Sequence, residues 1–481
     1  MLRSFHHARA LIVLVLALLG ISCVLPRQQP VVLAAPSAGK LSAQHGSSTV
    51  YLPWLERSPA PPSSVFGVEI TGGSVAPTVK YVSAANVAWT RYNNILWSTV
   101  EPSPGARNWA ALKLADTELT ALAASGTEPI VTIRSVPAWA QQTPGSACGP
   151  MTPAAYSAFA SFVHDVVVRY SAPPFNVRYW EMWNEPDAPT VSGDQPYGCW
   201  GDPSDAYYGG GKFGDMLKVV YPAIKAANPW AQVLNGGLIL DCDPTNPLPG
   251  EPCVAGKFLE GMLRSGAGNA FDLLAYHAYS YWSSNRADWD LTSLKWQARG
   301  GSTLGRLSYM RSLLNQYGST NKPIIMDEGG MICYSGAPDC GDSRYYPDQA
   351  NYVVRLYSRA WSHGLAGAVW YALNDPDWKD AGLLDRASQP HPSYAALKFL
   401  SGELAGTTYV SSLDTGNTEG YAFQKSGTIY RIYWTNNTSI TQLTLPPGTR
   451  ALYDKFGQPL PITGTTTTIS FEPTIIEVNG P

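Results

Sequence analysis

Two segments of the chain each place carboxylates at the end of an apolar run. WEMWNEPD contains Asn184 and Glu185, and IIMDEGG contains Asp327 and Glu328. Two carboxylic acids that face each other across a cleft can cleave a glycosidic bond, because one protonates the leaving oxygen while the other attacks or activates water. A single acid near a strand end is more often a loop or cap residue. The two motifs together favour catalysis, so Glu185 and Glu328 are the candidate catalytic pair.

The surrounding segments indicate which elements must position these acids. Eight short apolar runs recur: 65–70, 86–92, 128–134, 177–183, 231–237, 271–279, 322–328 and 366–373. Apolar residues with a 3.6-residue period, from Tyr156 to Tyr170 and from Phe213 to Ile224, predict helices between them. The alternation predicts an α/β chain with an eight-stranded β/α (TIM) barrel, whose reacting groups lie at the C-terminal ends of strands. An open doubly wound sheet is the alternative, but no G-x-G-x-x-G motif follows the first run.

Four regions follow from these patterns. Residues 1–34 combine a basic start with a short apolar run and predict an export signal; a lipoprotein site at Cys23 is the alternative to simple cleavage. Residues 35–62 form a Pro- and Ser-rich tether, and 63–401 form the barrel. Thr-rich, β-branched segments over 402–481 predict a small antiparallel β-sandwich that covers barrel surface rather than binding sugar. We expect a secreted or cell-surface protein.

The residues from 63 to about 400 resemble the clan A glycoside hydrolases, with families 39 and 5 the most similar. The resemblance is carried by W-N-E-P after run four and D-E-G-G after run seven. It implies a retaining enzyme on a β/α barrel that cleaves β-glycosidic bonds in oligo- or polysaccharides. Family 5 commonly shows a His near strand three, whereas this chain reads IRSVPAWA there.

The resemblance also implies roles for individual residues. Glu185 matches the acid/base and Glu328 the nucleophile. The remaining matches are to substrate-binding positions. Asn184 matches the residue that binds the sugar 2-hydroxyl, and Trp370 matches the aromatic floor under the sugar. His277 and Tyr279 match an H-x-Y motif whose Tyr touches the nucleophile, and Arg91 matches an Arg that supports the nucleophile. Trp139, in the loop after run three, is a further substrate-binding candidate, since aromatic faces stack on sugar rings.

Strand geometry adds three local expectations. Asn184 and Glu185 are adjacent yet must both reach the sugar, so the end of strand four should bulge or bend sharply. Asp327 and Glu328 should not both point inward. Glu181 should be a buried acid paired with a cation such as Arg91, because a buried charge needs a partner.

The expected mechanism is double displacement. Glu328 begins ionised, and Glu185 begins protonated because a neighbouring negative charge disfavours its ionised form. A separation of about 5–5.5 Å between the carboxyl groups would give retention of configuration. The reaction needs no metal or cofactor.

Six of the seven cysteines lie beyond the export segment, and an even number in an exported chain suggests three disulfides. The short separations favour Cys242–Cys253 and Cys333–Cys340, which leaves Cys148–Cys199. All six follow strands and would stiffen loops on the catalytic side. A zinc site is the rival, but the chain has no C-x-x-C pair.

Composition narrows the class of partner. Charged residues make up only 14% of the chain, the formal net charge is −3, and aromatics make up 11%. Without a basic excess to neutralise phosphates, nucleic-acid binding is disfavoured, and a carbohydrate is the expected partner. A non-catalytic carbohydrate-binding protein on the same scaffold is the alternative function. An aldolase-type barrel enzyme is a third possibility, but no strand-end Lys suits a Schiff base. The oligomeric state is not predicted.

Overall fold

The computed structural model describes residues 62–193, 195–333, 341–374 and 378–480. The predicted export segment with Cys23 and nearly all of the predicted tether lie outside the described residues. Over the described ranges, every helix is too short or too polar to span a lipid bilayer.

Eight parallel strands form the predicted ring. They are β1 (Phe66–Glu69), β2 (Trp89–Leu96), β3 (Glu128–Arg134), β4 (Tyr179–Met182), β5 (Gln232–Leu234), β6 (Leu274–Tyr281), β7 (Ile324–Ile332) and β8 (Ala368–Trp370). The strands pair in the order β5-β4-β3-β2-β1-β8-β7-β6. Isolated parallel bridges between Leu234 and Leu273 and between Leu238 and Tyr276 join the two ends of this order, which closes the barrel.

The interior of the ring is layered. An apolar layer fills its lower part, with Trp89 of β2 packed edge-on against Tyr179 of β4 at 4.9 Å between ring centroids. Because side chains of a strand return to the same face every second residue, Arg91 and Glu181 lie one layer above them. The barrel therefore carries an apolar base and a charged layer beneath its C-terminal mouth.

Helices surround the ring: α1 (Val75–Ala84), α2 (Trp97–Val100), α3 (Lys113–Ser125), α4 (Tyr156–Ser171), α5 (Gly210–Ala227), α6 (Phe258–Arg264), α7 (Ser302–Gln316), α8 (Tyr345–Ser362) and α9 (Pro392–Leu404). Every apolar position of the predicted stripe in α4 is buried, and so are five of the six in α5, because these faces pack on neighbouring elements. The boundary expected at residue 401 falls inside α9, whose last turn continues to Leu404.

The C-terminal strands are β9 (Thr408–Ser412), β10 (Thr418–Lys425), β11 (Thr428–Thr435), β12 (Thr441–Thr444), β13 (Thr449–Asp454), β14 (Pro459–Leu460), β15 (Thr466–Ile469) and β16 (Thr474–Asn479). Six form an antiparallel sheet in the order β14-β13-β16-β11-β10-β9, and β12 pairs with β15 in a second sheet. Apolar side chains from both sheets share a small core. The predicted barrel followed by an antiparallel sandwich is thus confirmed.

A buried ion network joins the sandwich to the barrel. Arg359 of α8 contacts Glu419 of β10 at 2.6 Å and Asp288 of the loop after β6 at 2.8 Å. Arg355, one turn earlier, contacts Asp288 at 2.7 Å and donates to the carbonyl oxygen of Phe471 at 2.6 Å. These guanidinium and carboxylate groups are almost fully buried. The network therefore ties three parts of the chain that are distant in sequence.

Replacing one buried partner should destabilise the protein strongly. We expect Glu419→Ala to lower the free energy of unfolding by about 3 kcal/mol, because Arg359 is left with a buried charge that has lost a partner. Urea unfolding followed by tryptophan fluorescence measures the change. Asp215→Asn is the matched control, since it removes a partner from the exposed pair Lys218–Asp215, and should cost at most ~1 kcal/mol. Equal effects of the two variants would contradict a structural function of the network.

Candidate active site

The predicted bend at the end of β4 is confirmed. The strand ends at Met182, and Trp183 (φ 76°) and Glu185 (φ 49°) both adopt left-handed backbone conformations. The Glu185 amide donates to the carbonyl oxygen of Gly236 at 2.9 Å. A Cβ on Gly236 would lie 2.2 Å from the Met182 carbonyl oxygen, so this approach needs glycine. As a result, adjacent Asn184 and Glu185 line the same cavity.

Strand β7 contains a bulge that corrects the expectation for Asp327 and Glu328. Tyr276 of β6 pairs with Met326, but the next residue, His277, pairs with Glu328, so Asp327 is an extra residue in the ladder. Both acids therefore approach the interior, where Glu328 lies 2.7 Å and Asp327 3.7 Å from nitrogens of one guanidinium. The expectation that only one of them turns inward was wrong, because it assumed regular alternation along the strand.

That guanidinium belongs to Arg91, which is fully buried. Its nitrogens contact Glu181 at 2.8 Å, Glu69 at 3.0 Å and Glu328 at 2.7 Å, and they donate to the side-chain oxygen of Asn184 at 2.6 Å. The predicted pairing of Glu181 with Arg91 is confirmed. Glu69 was not predicted as a site residue, although VFGVEI already placed an acid at the C-terminal end of the first strand.

The carboxyl groups around Arg91 differ in protonation. Although burial opposes ionisation, the Arg91 guanidinium holds the pKa of Glu181 below its usual value. Burial raises the pKa of Glu69 to about 8, against the attraction of Arg91. Burial and the neighbouring Glu181 carboxylate raise the pKa of Asp327 well above its usual range. This shift favours the protonated form of Asp327, which can donate a hydrogen bond to Glu181.

Glu185 and Glu328 meet beside His277. One oxygen of each acid and a ring nitrogen of His277 all lie within 4.8 Å of one another. His277 Nδ1 is 2.9 Å from Glu185 Oε1, and the Tyr279 hydroxyl donates to Glu328 Oε1 at 2.6 Å. Burial lowers the pKa of His277 to about 4, so the imidazole is neutral at neutral pH. The neutral ring can donate to an ionised Glu185 or accept from a protonated one.

Glu185 has the raised pKa expected of an acid catalyst, but for a different reason. Burial is the largest cause and raises the pKa of Glu185 to about 7, while Arg91 and Lys379 oppose the shift. The nearby negative charge that contributes is Glu181, and its effect is smaller than that of burial. The expected dominant effect of a neighbouring charge is therefore corrected to desolvation.

The acids open into a cavity of about 440 Å³ at the C-terminal mouth of the barrel. Its described walls are Glu69, Thr71, Gly72, Asn93, Arg134, Asn184, Glu185, Pro196, Tyr197, Ile239, Tyr279, Tyr281, Glu328, Ile332, Tyr371, Trp378 and Lys379. Arg91 and His277 lie directly behind this wall and hold the acids. The sequence motifs thus converge on one site, and Glu69, Tyr371, Trp378 and Lys379 line it in addition to the residues predicted from the sequence.

Two further predicted substrate-binding residues, Trp370 and Trp139, are absent from the described walls of this cavity. Trp370 is fully buried and donates its indole N–H to the carbonyl oxygen of Ala381 at 3.0 Å. Because β8 ends at Trp370, the next residue, Tyr371, lies in the cavity wall instead. Trp139 packs edge-on against Trp97 and donates to the carbonyl oxygen of Glu101 at 3.1 Å. A substrate contact by Trp139 stays a prediction.

Two of the predicted disulfides, Cys148–Cys199 and Cys242–Cys253, are confirmed. The first links the loops after β3 and β4, and the second closes the loop after β5. The third predicted pair includes Cys340, which lies outside the described residues.

Two sets of side chains have the spacing of metal ligands: Glu181, His277 and Asp327, and Glu185, His277 and Glu328. In the first set, Arg91 already supplies positive charge to Glu181 at 2.8 Å, and the raised pKa of Asp327 favours its neutral form. In the second, hydrogen bonds from Tyr279 and with His277 occupy the carboxyl oxygens. His277 Nε2, which belongs to the ligand atoms of the first set, nevertheless has no hydrogen-bond partner among the described residues.

No protein-family model and no curated protein sequence matches the chain. Several solved structures do match the chain. A family 39 glycoside hydrolase from the gut symbiont Bacteroides cellulosilyticus WH2 has 21% identity and a TM-score of 0.67, covering 87% of this chain and 81% of its own. The GH39 enzyme from Xanthomonas axonopodis pv. citri has 16% identity and a TM-score of 0.57, covering 88% and 96%.

A third structure, the glycoside hydrolase family 30 subfamily 8 xylanase Xyn30A from Clostridium acetobutylicum, has 12% identity and a TM-score of 0.57, covering 86% of this chain and 96% of its own. At these identities the similarity establishes the fold. The chain therefore has the barrel-and-sandwich fold of family 39 and family 30 glycoside hydrolases, as its resemblance to the clan A enzymes implied.

Proposed function

We propose that the chain is a retaining glycoside hydrolase that cleaves β-glycosidic bonds in oligo- or polysaccharides. The observation that carries the proposal is that one carboxyl oxygen of Glu185 and one of Glu328 lie within 4.8 Å of each other at the mouth of the barrel. Retaining enzymes hold their two carboxyl groups about 5–5.5 Å apart, whereas inverting enzymes leave about 6.5–9.5 Å for a water molecule. The similarity of fold to glycoside hydrolases supports the same conclusion.

In the first step, the Glu328 carboxylate attacks the anomeric carbon, and the bond from this carbon to the glycosidic oxygen breaks. The proton of Glu185 passes to that oxygen as the leaving group departs. Arg91 and Tyr279, which hold the two oxygens of Glu328, orient the nucleophile for this attack. The products are a glycosyl ester of Glu328 and an ionised Glu185.

In the second step, Glu185 takes a proton from water, whose oxygen forms a bond to the anomeric carbon. The ester bond breaks, and Glu328 leaves as a carboxylate. Until this step Glu328 carries no negative charge, because it is esterified in the glycosyl–enzyme. The two displacements enter the anomeric carbon from opposite faces and each inverts it, so the product retains the β configuration. Neutral His277 stays hydrogen-bonded to Glu185 through both of its protonation states.

We further propose that residues 1–34 direct export and that the mature protein is secreted or held at the cell surface. The two disulfides are consistent with an oxidising compartment. Intact-mass analysis of the mature protein distinguishes cleavage before Ala35 from lipidation at Cys23.

Chemical rescue tests the nucleophile. Glu328→Ala should lower kcat on an aryl β-glycoside by on the order of 10⁴–10⁶-fold, because the covalent intermediate can no longer form. Added azide should restore turnover and give the α-glycosyl azide, since azide attacks the face that Glu328 left open. In the matched variant Glu185→Ala, azide should instead attack the glycosyl–enzyme and give the β-glycosyl azide. The same anomer from both variants, or full activity of Glu328→Ala, would refute the assignment.

The raised pKa of Glu185 predicts the alkaline side of the pH profile. Because the acid catalyst must carry its proton, kcat/KM should be half-maximal near pH 7 and fall about tenfold per pH unit above it. Steady-state kinetics with a poor leaving group, which needs protonation, measure this decline. In Glu185→Gln the alkaline decline of kcat/KM should disappear. Among aryl glycosides, a dinitrophenyl glycoside should lose the least first-step activity in this variant, because its leaving group departs without protonation. Persistence of the decline in that variant would assign it to another group.

A further inference from the structure

Three buried side chains next to the catalytic acids turn unpartnered atoms toward one another. Glu181, His277 and Asp327 are at most 2% exposed. Glu181 Oε1, His277 Nε2 and both carboxyl oxygens of Asp327 have no hydrogen-bond partner among the described residues. One ligand atom from each of the three residues lies within 4.8 Å of the other two. Because buried polar atoms are almost always paired, this cluster lacks a partner that contacts all three residues.

The unpartnered atoms lie on the side of the acids that faces away from Arg91. Arg91 Nε is 2.8 Å from Glu181 Oε2 and 3.7 Å from Asp327 Oδ2. The other oxygen of Asp327, Oδ1, is 3.6 Å from His277 Nε2. A Cβ on Gly237 would lie 2.1 Å from His277 Nε2 and 3.0 Å from Glu181 Oε1. These two atoms therefore border one small space that a side chain at position 237 would fill.

The donor set and its spacing fit a divalent transition-metal ion. Zn²⁺ binds His nitrogen and carboxylate oxygen at about 2.0–2.2 Å, usually with four donors in a tetrahedron, which places two donors about 3.4 Å apart. The 3.6 Å between His277 Nε2 and Asp327 Oδ1 is close to this separation. Glu181, His277 and a bidentate Asp327 supply four donor atoms. Mg²⁺ and Ca²⁺ fit less well, because they take six or more oxygen ligands.

The hydrogen bonds behind these residues have the arrangement that metal sites use. A metal-bound His donates its other ring N–H to a carboxylate, a carbonyl oxygen or water. His277 Nδ1 is 2.9 Å from Glu185 Oε1. Glu181 accepts hydrogen bonds from Arg91 Nε and Thr132 Oγ1 through Oε2. These contacts orient the ligands and leave His277 Nε2 and Glu181 Oε1 for an ion.

The balance of buried charge also favours a dication. Burial raises the pKa of Glu69 to about 8, which favours its neutral form. When ionised, Glu181, Asp327 and Glu328 carry three negative charges, and Arg91 carries one positive charge. A divalent ion neutralises the remaining two negative charges, whereas a proton on Asp327 neutralises only one.

We propose that Glu181, His277 and Asp327 bind a divalent transition-metal ion, with Zn²⁺ as the ion that fits best. The ion is structural and takes no part in the breaking or forming of bonds. On binding, it takes the place of a proton on Asp327, which passes to solvent. An ion at Nε2 keeps the His277 proton on Nδ1, so the ring donates to Glu185 in both protonation states of that acid. The proposal does not depend on the hydrolase activity.

Metal binding tests the site in the intact, untagged protein. After treatment with a chelator, Zn²⁺ is titrated in and followed by calorimetry and elemental analysis, with long incubations because a buried site exchanges ions slowly. We expect one Zn²⁺ per chain with a Kd of about 1 µM or tighter, and a higher Tm with Zn²⁺. X-ray absorption of the Zn²⁺-loaded protein should show one imidazole, with all neighbours at about 2.0–2.2 Å. The absence of saturable binding at about a hundredfold higher Zn²⁺ concentration, or two imidazole neighbours, would refute the site.

Variants distinguish this site from the neighbouring set of Glu185, His277 and Glu328. Asp327→Asn keeps the shape of the neutral acid but removes an anionic ligand. It should weaken Zn²⁺ binding by on the order of 100-fold or more, because loss of a ligand exceeds the 10–100-fold cost of a supporting hydrogen bond. Glu328→Gln changes only the neighbouring set and should alter the affinity by at most about tenfold. His164→Ala is the control for surface binding, since His164 is a partly exposed ring 2.9 Å from Asp165, and should leave the affinity unchanged.

The pattern of affinities decides between the two sets. A large loss in Asp327→Asn with little change in Glu328→Gln supports the proposal, and the reverse pattern refutes it. A large loss in His164→Ala would assign the binding to the surface and also refute it. If circular dichroism shows that Asp327→Asn does not fold, Glu328→Gln decides alone. Its unchanged affinity, together with one imidazole neighbour in the unaltered protein, then supports the site, and a lost affinity refutes it.

Discussion

One buried guanidinium, that of Arg91, faces four carboxyl groups within 3.7 Å. A single positive charge cannot balance four negative ones out of contact with water, so some of the acids must keep their protons. Burial raises the pKa of Glu69 and, together with the Glu181 carboxylate, the pKa of Asp327. Both shifts favour the protonated acids, which leaves the charge of Arg91 for Glu181 and Glu328. The arrangement of strands around this one side chain thus sets which carboxyl group is available as a nucleophile.

The same constraint separates the two catalytic acids. Glu328 accepts a charge-assisted hydrogen bond from Arg91, whereas Glu185 is paired with the neutral imidazole of His277. Burial then raises the pKa of Glu185 without a compensating ion pair in contact. Two chemically identical side chains take opposite parts in the proposed reaction because one follows β4 and the other lies in β7, although both approach His277 Nδ1, at 2.9 and 3.6 Å.

The sequence was informative where a periodic pattern or a chemical requirement was strong. Alternation along strands placed Glu181 on the interior face with Arg91, and the need for both Asn184 and Glu185 at the sugar predicted the bend after β4. The same alternation failed at Asp327, because a bulge is a property of the pairing between β6 and β7 and leaves no mark in one strand. The dominant cause of the Glu185 pKa shift was also missed, since burial there depends on loops distant in sequence.

The sandwich contacts a loop that lines the active-site cleft, in addition to stabilising the chain. Asp288 lies in the loop after β6, which also supplies Leu294 and Lys295 to a cavity of about 590 Å³ that shares Glu185 with the active-site cavity. Arg355 and Arg359 fix this loop against the sandwich, and its backbone at Asp288 donates to the carbonyl oxygen of Asn436. Trp289 of the same loop packs edge-on against Phe471 of the sandwich at 5.2 Å between ring centroids. The geometry of this wall therefore depends on buried contacts with the sandwich, which lie outside the cavity, so the sandwich helps to position one side of the cleft.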